Sequence, residues 1–252
     1  RLSILDLSPM AHQPFVTEDH QGVISYNGEV YNFRELRREL EEEGVRFRSG
    51  SDTEVVLYAL HRWGVARAVP RFNGMFAFAY FDHRSRTLWL ARDRTGIKPL
   101  YLAHRGSTVV FASEAKTLFA HPAVPCRADL HSLTTQAIHG RLTGGWTPFE
   151  GVEEMVPGTM VEIAQTGETT HTWFDLLRDL DVGRIIEAGR VPFDQQVTEF
   201  QRHFARSVEL HLLSDAPLAT MCSGGLDSSL VAAVARDINP GIVAYVADAE
   251  GY

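Results

Sequence analysis

Apolar positions fall into blocks of two kinds along the chain. From residue 74 they come in strand-length runs, GMFAFAYFD, TLWLARD, PLYLAH and STVVFASE, separated by polar or glycine-containing turns. MFAFAYF is apolar without a break, which predicts a strand covered on both faces. Upstream, GVISYNGEVY sets two β-rich runs around Asn27-Gly28, the strongest local hairpin signal. Asn32 is then placed to cap a helix with Glu35 as its capping-box partner. That helix runs through RELRRELEEE to Gly44, the expected C′ residue. A second helix is predicted from about Thr53 to Gly64, with Val55, Val56, Ala59, Leu60 and Trp63 on its apolar side. Two further strands, Thr159 to Ala164 and Thr169 to Phe174, flank a QTGE turn. Prolines and glycines between residues 117 and 150 break any pattern there.

Residues 176–193 are charged and carry no β pattern, which predicts a linker between a first domain, 1–175, and a second, 194–252. From Asp194 the positions Val197, Phe200, Phe204, Val208 and Leu212 recur at helical spacing. A strand from Pro217 to Cys222, a glycine-containing loop, a helix from about Ser228 to Arg236 and a strand from Ile242 to Ala247 follow. This is a βαβ unit, the start of a parallel sheet.

Composition narrows the partners. The 252 residues hold 24 Lys plus Arg against 32 Asp plus Glu, a formal net charge of -8. With no basic run, nucleic acid and anionic membrane are excluded as expected partners. No apolar stretch approaches the roughly 18 residues of a membrane span. Cys126 and Cys222 are the only cysteines, too few for a disulfide framework, so a reducing, cytoplasmic setting is expected. The histidines show no metal-ligand spacing. The chain starts at Arg1 and ends at Tyr252, and both ends read as interruptions of a domain, so a fragment is expected.

Candidate chemistry appears first in SGGLDSS, residues 223–229, between a predicted strand and a predicted helix. Gly224 and Gly225 let backbone approach a ligand. The helix N-terminus offers unpaired N–H groups and partial positive charge. Ser223, Ser228 and Ser229 add hydroxyl donors. Such a loop suits phosphate or pyrophosphate, and Asp227 among these donors makes sense as a ligand of a bridging Mg2+ ion. A serine- and glycine-rich turn capped by Asp227 or Ser228 is the plainer alternative. The string resembles the PP-loop of ATP pyrophosphatases, and LHLLSDAPLATMCSGGLDSS is similar to the synthetase domain of glutamine-dependent asparagine synthetases. The resemblance implies an ATP site in which Cys222 and a residue of the next strand, Val246 or Ala247, line the adenine pocket.

RLSILD, YNGEVYN, SGSDTEV, FNGMFAFAYFD, RDRTGIKPLY and FASEAK resemble, in order and spacing, the glutaminase domain of the same family. The resemblance implies an N-terminal-nucleophile fold, α+β, an αββα sandwich of two sheets between helical layers, followed by the start of an α/β PP-loop domain. It implies that Arg1, within the segment Arg1, Leu2, Ser3, Ile4 and Leu5, holds the glutamine α-carboxylate through its guanidinium fork. Asp52 would take the α-amino group, Asn27 and Gly28 would form the oxyanion hole, and Glu29 would orient the substrate.

The family's nucleophile is a cysteine at the mature N-terminus, and no such residue stands in this sequence. The resemblance therefore implies a glutamine- and ATP-dependent ligase amidating aspartate or a related acid, with this polypeptide alone expected to catalyse neither half-reaction. A β-lactam synthetase-like or other adenylating amide-forming enzyme with a non-catalytic glutaminase domain is the alternative. A homodimer is compatible with the family.

Overall fold

In the computed structural model, which describes residues 4–246, Gly22–Val30 is one nine-residue strand and Asn27-Gly28 lies inside it. The expected hairpin does not form. This strand pairs antiparallel with Gly74–Asp82, from Gly22↔Asp82 to Val30↔Gly74. Pairing along the full strand buries Ile24, Tyr26 and Val30, and that burial outweighs the turn preference of two residues.

The described residues divide into two compact units, 10–179 and 4–9 with 180–246. In chain order the first holds β1 (Phe15–Val16), β2 (Gly22–Val30), α1 (Phe33–Glu42), α2 (Asp52–Trp63), α3 (Val65–Ala68), β3 (Gly74–Asp82) and β4 (Thr87–Arg92). It continues with β5 (Tyr101–Arg105), β6 (Thr108–Ala112), α4 (Ala115–Leu118), α5 (Leu130–His139), β7 (Glu153–Glu154), β8 (Thr159–Ala164) and β9 (Gly167–Thr172). One sheet has the order β1-β2-β3-β4-β8-β9 and a smaller one β6-β5-β7; all their pairings are antiparallel.

Alternation along β3 explains the layers. Ala77 and Ala79 meet Leu90, Val161, Leu100, Leu102 and Met155, a core shared by the two sheets. Phe76, Phe78 and Tyr80 point to the opposite face and are also buried, the double cover that the unbroken apolar run predicts. α2 packs against β2. Ala103, Leu118, Val124 and Val152 join α4 to the far side of the smaller sheet. The result is the helix–sheet–sheet–helix sandwich expected from the resemblance.

α1 and α2 form where predicted. Gly44 at φ 87 closes the first, and Ser51 caps the second by accepting from the Thr53 N–H at 3.2 Å. The capping box does not form. The Asn32 side chain instead bonds the Arg71 carbonyl and the Asn73 N–H, tying the start of α1 to the approach to β3. Trp63 is half-buried, with the Arg71 guanidinium over its ring at 4.2 Å. α5 had no legible pattern because Leu130 and Ile138 are largely exposed; Asp129 caps it and Gly140, at φ 73, ends it.

The second unit holds α6 (Val182–Ala188), α7 (Phe193–His211), β10 (Ala219–Met221), α8 (Leu226–Ile238) and β11 (Val243–Tyr245). β10 and β11 pair in parallel, the expected βαβ unit, around a core of Val208, Ala235 and Ile242. The stretch expected to be a linker is partly helical. Asp181 caps α6 by accepting from the Arg184 N–H, and the exposure of Ile185 and Ile186 explains why no core pattern marked it. No helix among the described residues is long and apolar enough to cross a membrane.

Candidate functional site

Strand register places the Asn-Gly-Glu motif. Asn27 lies opposite Ala77 and Glu29 opposite Met75, so both project to the face of β2 that meets the smaller sheet. The Asn27 amide reaches across to donate to Ser113 Oγ at 3.4 Å, just beyond β6. Gly28 lies opposite Phe76. A Cβ there would collide with the Met75 carbonyl oxygen and Phe76 Cα, and one at Gly74 with the Glu29 carbonyl oxygen. Two glycines, one on each strand, thus let β2 and β3 approach at the motif itself.

Asp52 opens α2, buried, with its carboxylate directed at β2. Its Oδ2 accepts from the Tyr26 hydroxyl and from the Val30 N–H, both at 2.9 Å. The neighbouring Glu54 holds the Ser-Gly-Ser segment in place. Its fully buried carboxylate accepts from the Arg48 and Ser49 N–H groups and from Ser49 Oγ. Burial and the adjacent Asp52 push the Tyr26 phenol well above its ordinary pKa.

Glu29 is buried and its Oε1 has no partner. Burial first, and the Asp52 charge second, push its carboxyl up to about 7 against an ordinary 4.5, while the Lys98 charge opposes the shift. A carboxyl raised in this way stabilises the fold while protonated. The contribution is complete below about 4.5 and is lost as pH rises through about 7. Glu29→Gln, neutral throughout, is therefore expected to melt above the wild type at pH 8 and level with it near pH 4. A difference equal at both pH values, read by calorimetry, counts against this assignment.

Lys98 and Thr95 lie in the loop after β4, which Asp93 organises. The Asp93 carboxylate, buried, accepts from the N–H groups of Phe76, Thr95, Ile97 and Lys98 at 3.0–3.1 Å. Arg92 binds the carbonyls of Lys98, Gly96 and Met155, together with the Glu154 carboxylate. The motifs YNGEVYN, RDRTGIKPLY and FASEAK contain Tyr26, Asp93 and Ser113, but the sequence assigned none of them a role. The one available signal was an acid inside the RDRTG string, with no local pattern to say that strand β3 would donate to it.

In the second unit, residues 222–225 join β10 to α8, and residues 226–229 form the first turn of α8, which starts before the expected Ser228. Gly224 takes φ 80, where a side chain would be strained. Ser228 closes the loop: its Oγ accepts from the Ser223 N–H, lies 3.0 Å from Ser223 Oγ and donates to the Gly225 carbonyl. Gly225 is the N-cap of α8 and supplies no capping side chain, which leaves the first-turn N–H groups open to an anion. Cys222 Sγ lies 3.7 Å from Ser229 Oγ; hydrogen bonds, first from the Gly224 N–H and then from Ser229, lower its pKa. Asp227 stands in the first turn of α8. Among the described residues no group of three or more His, Cys, Asp or Glu is placed to hold a metal ion.

Other predicted site residues are not gathered at these places. Ile4 and Leu5 belong to the second unit, where the Ile4 carbonyl accepts from the Asp215 N–H at 2.9 Å. Val246 ends the described chain, exposed. Arg1, Leu2, Ser3 and Ala247 lie outside the described residues.

The first unit's fold and motif are those of a glutamine amidotransferase domain: residues 1–174 match that family, and the chain belongs to it. Residues 199–251 match the asparagine synthase family. Asparagine synthetase [glutamine-hydrolyzing] 3 of Bacillus subtilis is 34% identical over 239 residues, 93% of this chain and 37% of that protein. Asparagine synthetase [glutamine-hydrolyzing] 1 of the same organism is 33% identical over 96% of this chain and 37% of its own length. The chain thus spans little more than a third of these relatives. The B. subtilis glutamine phosphoribosylpyrophosphate amidotransferase structure superposes with a TM-score of 0.46 at 19% identity, over 93% of this chain and 48% of that one.

Proposed function

We propose that this chain serves a glutamine-dependent asparagine synthetase, its first unit releasing ammonia from glutamine and its second binding ATP. The supporting observation is the order of the two family matches in one chain, amidotransferase at 1–174 and asparagine synthase at 199–251. The glutaminase domain would comprise residues 1–175, with 176–193 joining it to a synthetase domain that begins at 194.

In this reading Arg1 pairs with the glutamine α-carboxylate and Asp52 with its α-ammonium group. Glu29 lies beside Asp52, and an arriving ammonium would draw it from its raised pKa back to the carboxylate. The Asn27 amide and the Gly28 N–H stabilise the oxyanion formed when the side-chain amide is attacked. The attacking group would be the family's N-terminal cysteine, which this sequence does not contain: its sulfur would bond the amide carbon, ammonia would leave, and water would then hydrolyse the thioester to glutamate. Preorganised donors of this kind are each worth about 2.7–4 kcal/mol of barrier, and the paired glycines hold these two in a strand rather than a mobile turn.

In the second unit, the Ser223, Gly224, Gly225, Ser228 and Ser229 donors would grip the ATP pyrophosphate, with Cys222 and Val246 or Ala247 beside the adenine. Asp227 would ligate Mg2+, whose charge offsets that of the leaving pyrophosphate. Aspartate attacks the α-phosphorus through its β-carboxylate, pyrophosphate leaves, and ammonia displaces AMP to give asparagine. A cytoplasmic setting fits this chemistry.

Joined to the nucleophile-bearing and synthetase segments that its relatives imply, the chain is expected to form asparagine, AMP, pyrophosphate and glutamate in equal amounts from glutamine, aspartate, ATP and Mg2+, while the 252-residue polypeptide alone should form none of them. Ammonium should replace glutamine. Pyrophosphate release that ignores aspartate but responds to another acid would move the reading to a different amide-forming ligase. Absence of both glutamate and pyrophosphate would overturn it.

A further inference from the structure

The hydroxyl of Tyr26 donates from β2 to the carboxylate assigned above to the substrate ammonium group, and nothing in the motif accounts for it. Tyr26 sits on the helix-facing side of β2, 4% exposed, between Ile24 and Gly28 on the same face. A phenylalanine would fill that place equally well for packing. The hydroxyl instead meets Asp52 Oδ2 at 2.9 Å, and the Val30 N–H approaches the same oxygen at 2.9 Å.

Two donors on one oxygen fix both the rotation of the carboxylate and the oxygen that faces the strand. Ser51 Oγ lies 3.5 Å from the other oxygen, Oδ1, and Asp52 holds the first position of α2. Without the phenol, Oδ2 loses one of these two donors and the hold on the rotation of the carboxylate weakens.

We propose that Tyr26 is a positioning residue for glutamine binding: it locks the Asp52 carboxylate in the orientation that receives the substrate α-ammonium group. This rests on the functional reading above. Tyr26 does not touch the reacting amide, so its effect falls on recognition of the amino-acid head and not on the chemistry of the side chain.

The test is binding of glutamine and of its analogue lacking the α-amino group, 4-carbamoylbutanoate, measured by calorimetry on the wild-type protein and on Tyr26→Phe. Glutamine affinity should fall by about tenfold, in line with loss of one hydrogen bond to a charged group. Affinity for the analogue should stay within about twofold. A melting curve for each variant separates misfolding from loss of orientation, and Tyr26→Leu, which removes the ring as well, should weaken both ligands. Unchanged glutamine affinity in Tyr26→Phe, or an equal loss for both ligands, overturns the inference while leaving the glutaminase reading intact. Failure of the wild type to bind glutamine overturns both.

Discussion

Gly28→Ala is expected to lower the melting temperature of the 10–179 unit by about 6–12 °C, and more if β2 separates from β3. The new Cβ would lie against the Met75 carbonyl and Phe76 Cα, which are backbone atoms of a central strand and not flexible side-chain ends. Overpacking costs about 1–3 kcal/mol where side chains can yield; here only the strands can yield, so about 3 kcal/mol is the lower bound. For a unit of this size each kcal/mol is worth about 2–4 °C. Relief must come from β2 moving outward, which carries Asn27 and Glu29 with it. On the proposed reading, a displacement of about 1 Å in a catalytic group costs on the order of 100-fold in rate, so glutamine hydrolysis by the intact enzyme should suffer beyond the stability loss. Hydrogen exchange of the β2 and β3 amides beside a calorimetric melt reads both parts. Wild-type protection of those amides and a melting point within about 2 °C of the wild type would show that the strands are not in the contact described.

The second large effect is expected at Asp93. Asp93→Ala removes the acceptor of four backbone N–H groups, from Phe76, Thr95, Ile97 and Lys98. The carboxylate is fully buried and Phe76 lies in the core, so at least the strand donor has no access to water in its place. An unpaired buried donor costs about 1–3 kcal/mol. The four share one acceptor, so their losses do not add, and about 3–5 kcal/mol is expected for the whole, or roughly 6–20 °C. Asp93→Asn offers a sharper comparison. Thr95 and Ile97 donate to one oxygen, Phe76 and Lys98 to the other, and an amide retains one oxygen only. Its loss should be about half that of alanine. An asparagine variant as stable as the wild type would mean that the second pair of bonds contributes nothing.

These two residues belong to one line across the sheet. Gly28 lies opposite Phe76, and Phe76 exchanges bonds with Asp93, whose N–H donates to the Phe76 carbonyl at 2.8 Å. Asp93 in turn holds the loop that carries Lys98, the charge opposing the upward shift of Glu29. The motif is therefore supported from behind by a residue that no local pattern marked.

Elements whose apolar residues recur at helical spacing or form an unbroken run were legible in the chain. α2 was, from the spacing of Val55, Val56, Ala59 and Leu60 and the stop at Gly64, although the structure buries every residue from Asp52 to Leu60. So were β3 and β4, from their apolar runs, and the SGGLDSS loop, whose glycines and hydroxyls are contiguous in sequence. α5 and α6 were not, because their apolar residues stay exposed and only their aspartate caps identify them.

The site divides in the same way. The resemblance to the glutaminase family, carried by the order of its motifs, pointed to Asn27, Gly28, Glu29 and Asp52 as the proposed grip on glutamine. Whether Asn27-Gly28 would turn or extend was settled by strand β3, which pairs with β2 from 44 or more positions along the chain. A turn preference is local, whereas burial on both faces of a sheet exists only once distant segments meet. For the same reason the Tyr26–Asp52 bond, the partnerless oxygen of Glu29 and the four bonds to Asp93 were decided by tertiary structure alone. The sequence by itself determined which chemical groups are present and the periods of the elements that carry them.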